Sequence, residues 1–145
     1  ELRAEKIRFQ LIGMAAAVLQ GVPVTTMDID SWIDLPKRQY MRSVNIALAM
    51  GATLVRNTIV ELKDGTLINF VYEVTGLKWF STEITRAILL NFHGQKIPVL
   101  SLESIQKSKQ AIMRRKDVAH LVYIAQTLKS IQTNKSAASK EDNDK

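Results

Sequence analysis

Strand-like and helix-like periodicities alternate along this chain. From Met27 to Ile33 apolar and polar positions follow the strand period of two. Met27, Ile29 and Ile33 share one face and Asp28 and Asp30 the other, which predicts a strand over about 25–33. Before it, Ile7 to Ile12 predicts a first strand ended by Gly13. Met14 to Gln20, rich in Ala, predicts a short helix stopped by Gly21-Val22-Pro23. Pro36 suits a first helical position. Tyr40, Met41, Val44, Ala47 and Leu48 fall at helical spacing up to Met50, with Gly51 as the cap.

The second half repeats the mixture. Residues 53–55, 58–62 and 67–74 read as strands, the last two joined through the Asp-Gly turn of Lys63-Asp64-Gly65-Thr66. Ser81 or Thr82 is the expected cap of a helix from Glu83 to Phe92, ended by Gly94. Lys96 to Ser101 predicts a last strand, and Pro98 argues for a sheet edge or a strand end. A helix follows through Met113. After the basic break Arg114-Arg115-Lys116-Asp117, a second runs from Val118 to Ile131 with Leu121, Ile124, Ala125 and Leu128 on one stripe. The expected organisation is one domain over 1–133 and a flexible polar tail over 134–145, where no large apolar residue occurs.

Composition narrows the picture. At 145 residues, 46% hydrophobic and 23% charged, the chain has the makeup of one globular domain. It has no cysteine, which excludes disulfides and thiolate metal sites and fits a reducing cytoplasm. No apolar run approaches the roughly 20 residues of a membrane span, and no signal sequence opens the chain, so the expectation is a cytoplasmic protein without membrane partners. The net charge of +6 fits either an anionic partner or a solvated basic surface.

Candidate chemistry centres on Asp28 and Asp30, whose Cβ atoms should lie about 6.5–7 Å apart on one strand face. Two carboxylates so placed repel one another, and a hard divalent cation with oxygen ligands relieves that repulsion. An exposed strand face carrying charge is the structural alternative. Asp34, two positions beyond Trp32, reads as a helix cap or a loop acid. Lys107, Lys109, Arg114, Arg115 and Lys116 form the strongest basic cluster, either a solvated helix face or a set of phosphate contacts, with Asp117 orienting a neighbouring base. His93 and His120 have no ligand spacing and read as surface or helix-end residues. Trp32 and Trp79 read as packing aromatics.

In order, these pieces resemble the nucleotidyltransferase fold of the DNA polymerase β-like superfamily, and within it small bacterial members, including those of toxin–antitoxin and abortive-infection systems. The segments that carry the resemblance are Leu11-Ile12-Gly13-Met14-Ala15-Ala16, then Gly21-Val22-Pro23-Val24-Thr25-Thr26-Met27-Asp28-Ile29-Asp30. They continue with Leu67-Ile68-Asn69-Phe70-Val71, the stretch from Ile97 to Ile105, and Arg115-Lys116-Asp117. The resemblance implies an α/β (α+β) fold, a mixed twisted sheet flanked by helices. It also implies Mg²⁺-dependent transfer of a nucleoside monophosphate from a nucleoside triphosphate such as ATP to a hydroxyl of a protein, a tRNA end or a small molecule. On that pattern Asp28 and Asp30 are the catalytic, metal-holding pair, with Asn69 as a third metal ligand. Gly13 and Met14 form the triphosphate turn, and Arg115 and Lys116 contact phosphate.

The chain departs from that pattern at three places. Met14 follows Gly13 where the family commonly has Gly or Ser. Asn69 stands where active relatives often place a third acid, and Val24 where a basic residue is frequent. Glu61 and Glu73 are the acids that could be recruited instead. The departures leave a second reading open, a catalytically inactive module that keeps the fold for nucleotide binding or interaction.

Overall fold

A computed structural model describes residues 1–143. Seven strands form one mixed sheet in the order β3-β4-β5-β2-β1-β7-β6. They are β1 (Phe9–Ile12), β2 (Asp28–Ile33), β3 (Thr53–Arg56), β4 (Ile59–Glu61), β5 (Leu67–Val71), β6 (Ile88–Phe92) and β7 (Gln95–Val99). Five helices accompany them: α1 (Gly13–Leu19), α2 (Met41–Ala49), α3 (Phe80–Glu83), α4 (Leu102–Ile112) and α5 (Arg115–Asn143). The expected fold class is the observed one.

Three central strands set the site. β1 and β2 are antiparallel with Ile12 opposite Asp30, and β2 and β5 are parallel with Asp30 opposite Asn69. The end of β1, the first half of β2 and the start of β5 therefore meet at one end of the sheet. Each face is covered by its own core. Ile33, Val44, Val60 and Phe70 pack with α2, whereas Ile12, Trp32, Val99 and Leu100 pack with Ala16 and Ala17 of α1, Ile105 of α4 and Ile124 of α5. Of the small side chains expected of α1, Ala16 and Ala17 thus sit fully buried against the sheet, and Ala15 is half-buried. Trp32, on the same face as the acids, is buried edge-on to Phe80 at 5.5 Å between ring centroids, and its Nε1 donates to the Tyr72 carbonyl. The first half of β2 is more open than the second, and Met27, expected on a buried face, is exposed because it precedes the strand.

Several expectations need correction. The segment from Glu83 to Phe92 is not a helix. After the short α3 and one 3-10 turn it becomes β6, which pairs antiparallel with β7 around His93 and Gly94. Both turn residues have positive φ, 50° and 78°, as a two-residue hairpin turn with the twist of the flanking strands requires. Pro98 lies not on an edge strand but, as the strand-end alternative has it, one residue from the end of β7, between β1 and β6. It is tolerated because β1 and β7 share only the Leu11–Val99 register pair. Pro36 precedes a 3-10 turn (Lys37–Gln39), and α2 begins only at Met41. Trp79 is 78% exposed and packs no core. The helix after the basic break extends over Arg115–Asn143, well beyond Ile131, so the polar segment from Asn134 continues it as far as the described residues reach. Ala137, Ala138, Lys135 and Glu141 are good helix formers. The last two positions of the expected tail lie outside the described residues.

Candidate active site

Asp28 and Asp30 project from the same face of β2, Asp28 exposed and Asp30 half-buried. Thr26 Oγ1 accepts a hydrogen bond from the Asp28 backbone N–H at 3.3 Å at the strand entrance. The surroundings of Asp30 are crowded. Gly13, at the junction of β1 and α1, has φ +65°, and a Cβ placed there would stand 2.7 Å from Asp30 Oδ2. Glycine is therefore required twice over, for the left-handed backbone and for the approach of the carboxylate. On the other side, Asn69 accepts from Thr58 Oγ1 at 2.9 Å through its Oδ1 and turns its amide N–H toward Asp30.

The electrostatics of Asp30 record a tension. Burial raises its carboxyl above the ordinary value, the Asn69 hydrogen bond lowers it, and the neighbouring Asp28 charge raises it again. Lys109 and Lys116 pull it down. The net effect is upward, so the ionised form is held in an environment that lacks sufficient positive charge.

Lys116 belongs to a corner between α4 and α5 built around a buried acid. Asp117 is fully buried. Its Oδ1 accepts from Lys109 Nζ at 3.0 Å, and its Oδ2 accepts from the backbone N–H of Arg114 at 3.0 Å and from Arg114 Nε at 2.9 Å. Burial alone would raise the Asp117 carboxyl; the hydrogen bonds from Arg114 and Lys109 overcome that and hold it far below the usual carboxylate range. Met113, in the left-handed conformation at the end of α4, lets the chain turn this corner. Ser101 caps the other end of α4, its hydroxyl accepting from the Ser104 N–H at 3.2 Å. Below the cap, Glu83 is also buried, its Oε1 accepting from the Lys78 N–H and its Oε2 from the Ser104 hydroxyl.

The sequence-predicted residues separate accordingly. Asp28, Asp30, Asn69, Gly13 and Lys116 converge on one end of the sheet. Arg115, the exposed first residue of α5, does not figure among the charges that bear on Asp30. The Met14 side chain is buried in the core, so it neither lines nor crowds the Gly13 turn, and only its backbone can face a ligand there. Glu61 stands in register with Asp28 across Leu67, two strand spacings or about 10 Å away. Glu73 lines a cleft of about 870 Å³, together with Trp32, Asp34, Pro36, Tyr72 and Trp79. That cleft opens at the far end of β2 and β5 from the two acids, so it and the candidate chemistry do not coincide. Asp34 is held there by Arg8, whose Nε donates to it at 3.0 Å, which fits its reading as a loop acid.

Sequence reasoning missed the full burial of Asp117, the burial of Lys109 and the half-burial of His120. The signal was present. Lys109 continues the buried stripe of Leu102 and Ile105, and Asp117, His120 and Ile124 share one face of α5.

No family model matches the chain, and no curated protein sequence matches it. Solved structures do. A lincosamide antibiotic adenylyltransferase, LnuA, solved with lincomycin bound, aligns with a TM-score of 0.56 at 12% identity over 86% of this chain and 89% of its own. The antibiotic-resistance factor ANT(2'')-Ia aligns with 0.58 at 13% identity over 99% and 92%. A protein from Thermotoga maritima described as a putative nucleotidyltransferase aligns with 0.52 at 23% identity over 92% and 86%. The chain thus has a nucleotidyltransferase-like fold. Among the described residues no helix is long and apolar enough to cross a membrane.

Proposed function

We propose that the protein is a nucleotidyltransferase that moves a nucleoside monophosphate from a nucleoside triphosphate to an acceptor hydroxyl. The observation that carries this reading is the meeting of Asp28 and Asp30 with the Gly13 turn and Lys116 at one end of a sheet of nucleotidyltransferase-like fold.

The donor set fits a hard divalent cation. Two carboxylates with oxygen ligands only, one of them raised by burial and by its like-charged neighbour, suit an ion that takes one or two carboxylates and completes its shell with substrate phosphates. Mg²⁺ bound by Asp28 and Asp30 would neutralise phosphate charge and acidify the attacking hydroxyl. Asn69 steadies Asp30 through its amide N–H, and, turned about, could present its oxygen as a third ligand. The missing side chain at Gly13 lets the Asp30 carboxylate approach the turn, where the Gly13 and Met14 backbone would face phosphate. Lys116 supplies a point charge to the phosphates, and Arg115, one position earlier on an exposed helix start, can reach a longer substrate from outside. ATP as donor, a protein, tRNA or small-molecule acceptor, and a cytoplasmic role of the toxin–antitoxin kind belong to this proposal.

A second reading, a non-catalytic nucleotide-binding module, draws on Asn69, which carries no charge and takes no proton. The discriminating experiment incubates the protein and Mg²⁺ with α-labelled nucleoside triphosphates and cellular fractions containing protein, tRNA or small molecules. Transfer reads as label on one fraction, lost in Asp28→Ala and Asp30→Ala. Tight triphosphate binding with no label in any fraction would favour the module.

A further inference from the structure

The sheet ends in two edge strands, β3 and β6, and they differ in kind. An open edge carries unpaired N–H and C=O groups, and proteins commonly guard it with charge, proline or a bulge. β3 is guarded: Arg56 lies in it, and its register with β4 shifts between Leu54 and Arg56. β6 reads Ile88-Leu89-Leu90-Asn91-Phe92, without charge or proline, and it pairs with β7 from Ile88 to Phe92 without a shift. Ile88, Leu89 and Phe92 are exposed, Leu89 by 61%. We propose that β6 is a docking edge that takes an extended, acidic segment of a partner protein as an added strand.

The backbone of β6 is set for that addition. Phe92 and Gln95 flank the two-residue turn of His93 and Gly94, and such a flanking pair exchanges both hydrogen bonds. Pairs alternate from there, so Leu90 and Ile88 bond to β7, whereas Leu89 and Asn91 turn their N–H and C=O to the open side. Pro98 stands opposite Leu89 and has no N–H to give, which agrees with this alternation. A groove of about 490 Å³ lies beside the same strand, with Phe9, Ile84, Leu89 and Pro98 in its apolar lining. Leu89 and Pro98 are cross-strand partners and share the groove side of the sheet. A residue of an added strand opposite Leu89 stands on that side too.

Charge selects the partner. Arg3, Lys6 and Arg8 also line the groove, and no acid does; Glu1 and Glu5, in the same N-terminal turn as Arg3 and Lys6, stay outside its lining. Arg8 is answered by Asp34. Among the described residues Arg3 and Lys6 belong to no ion pair. Arg3 is nevertheless anchored at the groove: its guanidinium lies 6.0 Å from the centroid of the Phe9 ring, and its Nη2 donates to the Lys96 carbonyl of β7. Lys96 and Arg86, both exposed, add positive charge along the hairpin. A second copy of this chain would suit the open backbone but not the charge, because it brings the same cations and a net charge of +6. An extended segment with one apolar side chain opposite Leu89, and acids two positions to either side, satisfies the backbone, the groove and its basic rim together.

The test titrates isotope-labelled protein with the peptide Thr-Glu-Thr-Leu-Thr-Glu-Thr and with its Lys-for-Glu counterpart, and reads backbone amide shifts and hydrogen exchange by NMR. The acidic peptide should shift the amides of Leu89 and Asn91 and slow their exchange, bind more tightly than the basic one, and lose affinity as salt rises. Leu89→Lys places a charge on the edge and leaves the bonds between β6 and β7 in place. It should keep a native amide spectrum elsewhere and weaken binding by roughly tenfold or more. The double variant Arg3→Glu, Lys6→Glu should weaken it by roughly fivefold or more. Amides of β6 that ignore the acidic peptide, equal binding of the two peptides, or undiminished binding to Leu89→Lys overturns the proposal. Sedimentation that finds the wild type dimeric and Leu89→Lys monomeric gives the edge to a second copy of this chain and overturns the acidic partner as well.

Discussion

At the scale of single residues, Asp30 shows how a site is held at some cost to the fold. Its carboxyl is raised by burial and by Asp28, so the folded state holds the proton more tightly than the unfolded chain does. A carboxyl whose folded value is raised destabilises the protein above that value. The penalty disappears as pH falls below the unfolded value of about 3.9. Asp30→Asn removes the charge and keeps the shape, so the free variant should melt a few degrees higher than wild type at pH 7 and be indistinguishable from it near pH 3, while losing triphosphate binding. Paired thermal melts at the two pH values check this; a lower melting temperature at pH 7 would contradict it. The pair Asp28 and Asp30 was legible because alternation is visible in one strand. The pairing of Lys109 with Asp117 was not, because a charged residue on an apolar stripe looks the same whether it snorkels to water or meets a buried partner.

Among the elements, the corner between α4 and α5 carries the clearest prediction. Asp117 joins Lys109 of α4 to Arg114 and to the first turn of α5, and all of its partners are charged or backbone donors. Asp117→Ala leaves the Lys109 ammonium buried and unpaired, and should cost about 3–5 kcal/mol in urea-unfolding experiments. The pH dependence has a definite sign. The folded carboxyl lies below the unfolded one, so its stabilisation is complete above about pH 4 and is lost as pH falls toward the folded value. Asp117→Asn should therefore show a shallower acid transition than wild type; an identical transition would contradict it. The element misread from sequence, β6, fails for a physical reason. Ile88, Leu89 and Leu90 form a short apolar run that suits a strand or a helix equally well. What decides between them is the positive φ of His93 and Gly94 and the pairing with β7, which are contacts at the tertiary level.

For the whole molecule, the sheet order explains why a modest site can be assembled from distant pieces. Antiparallel pairing of β1 with β2 and parallel pairing of β2 with β5 bring Gly13, Asp30 and Asn69 to one end, while the helices of the C-terminal half return Lys109 and Lys116 to the same place. The order of elements in the first half and the final pair of helices could be read from periodicity. The sheet order could not, because strand neighbours are chosen by which faces bury together rather than by any local signal. The large cleft at the opposite end, with exposed Trp79, stands apart from the proposed chemistry. The measurement that bears most directly on the account is calorimetric titration of the protein with ATP in the presence and absence of Mg²⁺, run on wild type, Asp28→Ala and Lys116→Ala. The account predicts Mg²⁺-dependent binding to wild type, its loss in Asp28→Ala and its weakening by roughly tenfold or more in Lys116→Ala, the size of a charge-assisted phosphate contact. Binding that is equal in all three proteins, or no binding of any nucleoside triphosphate to wild type, would contradict it.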